Sequence, residues 1–554
     1  MKGLIFVMNG KMRTRSFTGL AGLLLLFLAS CTAVGFKKLP RVERWQRFDL
    51  VFKSGTVYSN AFREVALRVI FTPPRGEARQ VYGFWDGGQT WRARFSPDQP
   101  GRWSYDTICS DPSNQGLHHQ SGAFLCLAAA GTNCFNRHGP LRLAADRRHF
   151  EQADGTPFFW LADSAWNGAR LSDSRDWELY ARIRAAQKFS AVQWSVAPGE
   201  DWAKQSAFTG KDRITVNPAF FQRLDAKVDA LNRAGLLSVI APFWEIGALP
   251  GDWSDAGTIS LLRYLAARWG ANDVAWLLTV DGGDARKIER CKRVCRAVFG
   301  EVEHAPVVLD PGPTAFEEFR NEPWVDAFGY AGDPGCAGDP GVKRVAEHLP
   351  VLLAEEWKKE PYHPLLNLAP TYENQPLGGG KQVRADELRR VAWRSLLLAP
   401  PAGFGYGTLD VAIWNTATGE QINDLTGRKL PLWQESLNLP GAKQMTLAAD
   451  LMNTLEFWRL VPAPQSVALE PHPASPCRSF AAAESESRHL RLVYVPEDRT
   501  LELSLDALPS SPLVNWINPQ TGESCAAAAV VTAHTCRFPT PEPGDWLLSI
   551  KAGK

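Results

Sequence analysis

The chain of 554 residues is too long for one core and by size divides into three or four domains. Its 61 Lys and Arg nearly cancel its 59 Asp and Glu, so no net field argues for nucleic acid or an acidic partner. Twenty-one Trp is a high count; most will serve packing, but surplus indole faces are flat platforms on which the apolar faces of sugars stack.

Lys2, Lys11, Arg13 and Arg15 precede the apolar run 20–28, which is the layout of an export signal rather than of a folded element. The run is too short to span a membrane as a mature helix. It ends Leu28-Ala29-Ser30-Cys31, which resembles a bacterial lipoprotein signal, with cleavage before Cys31 and a lipid anchor on its thiol at the cell envelope. Residues 1–30 are therefore read as a leader and 31–44 as a linker. Without Cys31 nine cysteines remain, an odd number that cannot all pair. Cys525 and Cys536 flank an apolar run and could bridge a hairpin, whereas Cys291 and Cys295, one helical turn apart, are expected to pack separately. No cysteine or histidine cluster has zinc spacing, and no motif calls for a cofactor or metal.

From 45 to 130 short alternating runs such as Val65 to Phe71 and Trp91 to Phe95 are separated by Gly, Pro and Asp, the pattern of a β-sandwich. A different regime fills 131–461. Apolar strands are expected at 158–162, 191–196, 236–244, 274–280, 306–309, 325–330, 364–368 and 403–406, with helices at 175–188, 218–233, 259–269, 342–357 and 385–398 between them. Asn217 and Pro218 are a helix start and Gly235 its stop. Eight strands alternating with helices specify a (β/α)8 barrel; an open doubly wound sheet competes, but no GxGxxG follows the first strand. Residues 433–458 form a helical pass beside the barrel, and 462–554 return to short alternating runs, a C-terminal β-sandwich.

The acids at expected strand ends are Asp163, Glu245, Asp281 with Asp284, Asp310, Asp333, Glu373 and Asp410. In a barrel of this kind the C-terminal strand ends form the active site, so these carboxylates should ring one cleft, interleaved with Trp166, Trp194, Trp244, Tyr330, Tyr372, Tyr406 and Trp414. Acids and aromatic platforms together fit glycoside hydrolysis, in which one carboxyl protonates the leaving oxygen and another acts at the anomeric carbon. Asp281 stands out. It ends the nearly continuous apolar run 274–280 and is followed by Gly282 and Gly283, which let a ligand approach the backbone. The same acid would serve equally as a cap for the helix that starts near Ala285. Serine chemistry has less support, since there is no GxSxG.

The motifs YGFWDGGQTW, RHGPLRL, DGTPFFWLADSAW, VAWLLTVDGGD, NEPWVDAF, LNLAPTYEN and GFGYGTLDVAIWN, in that order, resemble the apiosidase-like glycoside hydrolases of family 140 and their uncharacterised relatives. The resemblance covers nearly the whole chain from Trp45 and implies a (β/α)8 barrel between two β-sandwiches, the C-terminal one of a type labelled collagen-binding. It implies a pectic or other complex glycan as substrate, Asp281 as general acid/base and Asp163 as the first-strand Asp of the family. The chain departs from the pattern on strand seven. Relatives read N-x-E-P-x-Y-E, and Asn367 to Glu373 has Ala369 where the first Glu, the nucleophile of the family, is expected. On strand five, Asp310 stands where relatives often carry His. Glu373 or Glu245 would have to supply the second catalytic carboxylate, Trp166, Trp194 and Trp244 with the tyrosines, Trp414, Asp163, Asp284 and Asp310 binding the substrate. Two other readings stand beside this one: a barrel that binds glycans without cleaving them, or a C-terminal sandwich that carries the function on a barrel scaffold.

Overall fold

The computed structural model describes residues 38–553 apart from 211–212, 244–252, 301, 333–348, 379–380, 401, 417–428, 464–466, 471–479, 506–507 and 510. Cys31, Trp244, Glu245 and Asp333 lie outside the described residues. Eight parallel strands close into a barrel: β1 (Trp160–Ser164), β2 (Ala191–Ser195), β3 (Leu237–Ala241), β4 (Val274–Thr279), β5 (Val307–Asp310), β6 (Ala327–Ala331), β7 (Leu365–Ala369) and β8 (Gly403–Tyr406). The helices that matter for the site are α1 (Ser174–Ala186), α2 (Pro218–Arg233), α3 (Asp255–Trp269), α4 (Ala285–Phe299), α5 (Ala385–Leu398) and α6 (Pro440–Thr454).

The strands read as apolar runs because both of their faces are covered. Side chains alternate along each strand. Trp160, Ala162, Leu237, Val239, Ala275, Leu277, Val308, Leu366 and Leu368 fill the barrel interior. Leu161, Trp194, Ile240, Trp276, Leu278, Leu309, Phe328 and Tyr406 point outward into the core shared with the helices. A three-stranded sheet of Leu141–Leu143, Phe150–Gln152 and Pro157–Phe158 plugs the N-terminal end, with Leu141, Phe150 and Phe158 packed on the interior layer. The sequence pattern did not announce this plug.

The N-terminal sandwich pairs a five-stranded with a three-stranded sheet over its own core, which includes Phe71, Trp91, Trp103 and Phe124. It is bolted to the barrel by charge. Arg268 of α3 bonds Asp86 at 2.9 Å and Asp225 of α2 at 2.8 Å, and Arg94 reaches Asp225 at 2.7 Å. The C-terminal sandwich, six strands over four, is held by Arg389 of α5, which grips Asp545 at 2.6 and 2.8 Å, while Tyr494 donates to Asp545 at 2.8 Å. The hairpin bridge that Cys525 and Cys536 could make does not form. Cys525 is exposed on one sheet and Cys536 buried on the other, both free. Cys291 and Cys295 are buried thiols with sulfurs 3.9 Å apart. Among the described residues no helix is long and apolar enough to cross a membrane.

Candidate active site

At the C-terminal mouth of the barrel a cavity of about 520 Å³ is enclosed by the ends of β3, β4, β5, β6 and β7 and by the loops after β1, β4, β5 and β7. Asp281 and Asp310 are the two acids in its described wall, with Trp166 and Tyr372 as its aromatic side chains. The apolar floor comes from Ala241, Leu277 and Leu368, and Ala369 lines the wall where the family pattern places a Glu.

Asp281 owes its place to the turn it begins. Its Oδ1 accepts from the Gly283 N–H at 3.0 Å and its Oδ2 from Lys287 Nζ at 3.1 Å. The ammonium and the amide stabilise the charged form, so the carboxyl sits below the usual range and is ionised at neutral pH. The capping role that competed for Asp281 belongs instead to Asp284, whose side chain accepts from the Arg286 N–H at 2.9 Å at the start of α4. Gly282 between them is sterically required. A Cβ there would lie 2.1 Å from the Pro311 carbonyl oxygen and 2.4 Å from the Ala315 Cβ, so the loop after β4 packs directly on the loop after β5.

Asp310 ends β5 and is in register with Thr279 of β4; its carbonyl accepts from the Val280 N–H at 3.0 Å. It follows inward-facing Val308 by two, which turns its side chain inward. Gly329 of β6 leaves room beside it, since a Cβ there would meet Leu368 Cδ1 at 2.1 Å and the Asp310 Cβ at 3.4 Å. The Gly312 N–H donates to Oδ1 at 3.0 Å. That single amide does not offset burial, which pushes the Asp310 carboxyl up to about 6. Across the mouth Trp166 Nε1 donates to the Tyr372 hydroxyl at 2.5 Å, and burial raises that phenol, which stays protonated.

Four of the residues expected at the site thus line one cavity: Trp166, Asp281, Asp310 and Tyr372. Others turn away from it because a strand-end position does not say which face a side chain takes. Asp163 lies within β1 rather than at its end and points outward, fully buried, bonded to Arg184 Nε at 2.7 Å and the Tyr180 hydroxyl at 2.6 Å of α1. Trp194 is buried against Trp269, its Nε1 donating to Ser238 Oγ at 2.8 Å. Tyr330, Tyr406 and Trp414 belong to the outer core, Trp414 stacking on Trp433 with ring centroids 4.3 Å apart. Asp410 is buried in the short helix Leu409–Ile413.

Glu373 is also displaced from the mouth. It accepts from the Tyr406 hydroxyl at 2.7 Å and from the Gly441 N–H at 3.0 and 3.1 Å, so its carboxylate closes the N-terminal end of α6. Burial raises its pKa. The sequence reading passed over Thr279, Gly312, Thr314 and Lys287, which build the β4 and β5 side of the cavity or hold its acid. The Pro311-Gly312-Pro313 turn was their one visible signal.

Residues 144–459 match the family model described as apiosidase-like, catalytic domain, and residues 41–110 match a domain of unknown function, DUF5060. Among solved structures the chain is similar to one described as a glycoside hydrolase, at 18% identity and a TM-score of 0.66 over 75% of this chain and 98% of that one. A family 5 glycoside hydrolase from Bacteroides vulgatus ATCC 8482 gives 18% identity and 0.65 over 75% and 94%. A further candidate glycoside hydrolase from that organism gives 17% and 0.64 over 92% and 99%. At such identity the structural likeness speaks for the fold. No curated protein matches the chain.

Proposed function

Because the chain belongs to the apiosidase-like glycoside hydrolase family, we propose that it cleaves a plant-type glycan, with pectic side chains as the first candidates, in the cavity that holds Asp281. The observation that carries this is an ionised carboxylate on the rim of a cavity of about 520 Å³. That volume falls in the range of small-ligand sites, enough for one or two sugar rings. Trp166, fixed by Tyr372, offers an indole face to a ring's apolar side. Thr279, Thr314 and Gly312 bring hydroxyl and backbone groups to the wall, the kind of polar contacts that orient sugar hydroxyls. Asp281 is one of the two acids such chemistry needs. Glu373, tied to Tyr406 and Gly441, is left to a structural role.

The test is a cleavage panel. The purified protein is incubated with arabinan, galactan, rhamnogalacturonan and apiose-bearing pectin fragments, and new reducing ends are identified by mass spectrometry. Release of a defined mono- or disaccharide is expected. A second reading, a barrel that only binds glycans, is favoured by one observation, the methyl of Ala369 where a carboxylate belongs. Micromolar binding of several panel members with no cleavage of any would decide for it.

The basic residues ahead of the apolar run 20–28 and Cys31 at its end support a lipid-anchored place at the bacterial cell envelope, where polymeric glycan would be met before import. Radiolabelled palmitate is expected to label the wild type and not Cys31→Ala. Equal labelling of both would remove the anchor.

A further inference from the structure

We propose that Asp310 is the proton donor of this site and Asp281 its base, so that the acid at the end of β5 supplies the second carboxylate and takes the acid role that the family resemblance gives to Asp281. The inference rests on the hydrolase reading and adds to it the second acid. Three observations carry it. First, both carboxylates lie in the wall of the same cavity, and the described lining contains no other. Secondly, their backbones are locked together: Thr279 is in register with Asp310, Val280 bonds its carbonyl, and Gly282 seats the Asp281 turn on Pro311. The pair is therefore held by the fold rather than brought together by loop motion.

Thirdly, the two acids have opposite surroundings. Asp281 is half-exposed and bonded by an ammonium and an amide. Asp310 has one backbone amide as its partner among the described residues, and beside its Cβ stand Gly329, which brings no side chain, and the apolar Leu368. Among the described residues, the titratable groups that share the cavity with it are Asp281 from the turn after β4 and Tyr372 from the loop after β7. Lys287 of α4 bonds Asp281. Two carboxyls pushed apart in this way divide into an acid and a base, and here the acid is the strand-five residue, with its pKa of about 6, not Asp281.

The chemistry balances with water alone. The Asp310 proton passes to the glycosidic oxygen as its bond to the anomeric carbon breaks, and that oxygen keeps the electron pair and leaves as an alcohol. A water molecule gives a proton to the Asp281 carboxylate, and its oxygen bonds the anomeric carbon. Asp281 then releases its proton to solvent and Asp310 takes one up.

The experiment compares wild type, Asp310→Asn and Asp281→Asn, each checked by thermal melting, between about pH 4 and 9, on pectic polysaccharide and on a panel of 2,4-dinitrophenyl glycosides. A dinitrophenolate leaves without a proton, so it bypasses the acid. Asp310→Asn should lose roughly 10²- to 10⁴-fold in kcat/KM on the polysaccharide, keep dinitrophenyl hydrolysis within about tenfold, and lose the fall in rate expected of the wild type above about pH 6. Asp281→Asn should lose both substrates. If Asp310→Asn cleaves polysaccharide at the wild-type rate with the same pH limb, the acid assignment falls and the hydrolase reading stands. If Asp281→Asn is the variant that keeps dinitrophenyl hydrolysis, the roles are reversed and the proposal is overturned. A wild type silent on every substrate overturns the hydrolase reading and the assignment with it. Should Asp310→Asn impair folding, the wild type decides alone: polysaccharide cleavage with no fall in rate between about pH 5 and 8 overturns the assignment.

Discussion

Asp281 and Asp310 are the same side chain on neighbouring strands, and their surroundings make them different reagents. Lys287 and the Gly283 amide hold one ionised; burial holds the other protonated well into the range where free carboxyls are charged. The second effect has a thermodynamic signature. A carboxyl raised from 3.8 to about 6 on folding favours its neutral form by about 3 kcal/mol. Because the folded value is the higher one, its contribution is fully present below the unfolded pKa and is lost as pH rises through about 6. Asp310→Asn should therefore melt close to wild type near pH 4 and above it at pH 7.5. A melting difference that does not change with pH would show that Asp310 is not the buried acid described here. At this scale much was legible in the sequence. Asp281 and Asp310 stood out as strand-end acids, and Ala369 as a missing one. What sequence could not supply was the neighbour that decides each acid's charge, since Lys287 lies six residues beyond Asp281 with nothing to mark it.

Elements decide which of these residues reach the cavity. The eight strands and their order could be read from apolar runs, and the start of α2 from Asn217 and Pro218. In the structure the Asn217 side chain accepts from the Phe220 N–H and Gly235 follows in the left-handed region at φ 82°. Parity was not legible. Asp163, Trp194, Tyr330 and Tyr406 all lie on barrel strands, at or near their C-terminal ends, yet face the helices. A one-residue difference in phase separates inside from outside. Asp284 illustrates the same limit in a loop, being three residues from Asp281 and a helix cap. Asp284→Ala should cost about 1 kcal/mol of stability and leave glycan cleavage within about threefold of wild type.

Gly282→Ala is a sharper test of how the site is held. A methyl 2.1 Å from the Pro311 carbonyl oxygen must push the β4 and β5 turns apart, so kcat should fall at least about tenfold while KM for glycan changes little. Displacements of about 1 Å suffice for losses of this order or larger. An unchanged kcat would mean that the two acids do not depend on this contact. Glu373 separates a structural from a catalytic role equally well. Glu373→Ala removes the acceptor from Tyr406 and Gly441, and stranding two buried donors costs roughly 2–6 kcal/mol. Its melting temperature should fall, with the folded protein still active. Lost activity at an unchanged melting temperature would restore Glu373 to the mechanism.

Across the whole molecule the barrel is a middle piece clamped at both sides by buried charge. Arg268, Asp86, Asp225 and Arg94 form a network in which Arg268 is fully covered, and the Arg94 and Arg268 guanidiniums lie 5.1 and 4.9 Å from the centroid of the Phe84 ring. Removing one member leaves an uncompensated buried charge, so Asp86→Ala should cost about 3–5 kcal/mol and separate the unfolding of the N-terminal sandwich from that of the barrel. A single unshifted denaturation transition would show that the contact does not couple them. The domain order was legible from the change between alternating and continuous apolar runs. The clamps were not, since each joins residues far apart in sequence, such as Asp86 to Arg268 and Arg389 to Asp545.

The whole arrangement, from clamped barrel to locked strand ends, sets Asp281 on the rim of one cavity, and replacing that acid asks whether the cavity performs hydrolysis. Wild type and Asp281→Asn should be compared for reducing-sugar release from the best-cleaved pectic glycan, with melting temperature and glycan affinity measured on the same samples. The expected result is a loss of at least about 10³-fold in kcat with melting temperature and affinity essentially unchanged. Cleavage by Asp281→Asn at the wild-type rate would contradict it.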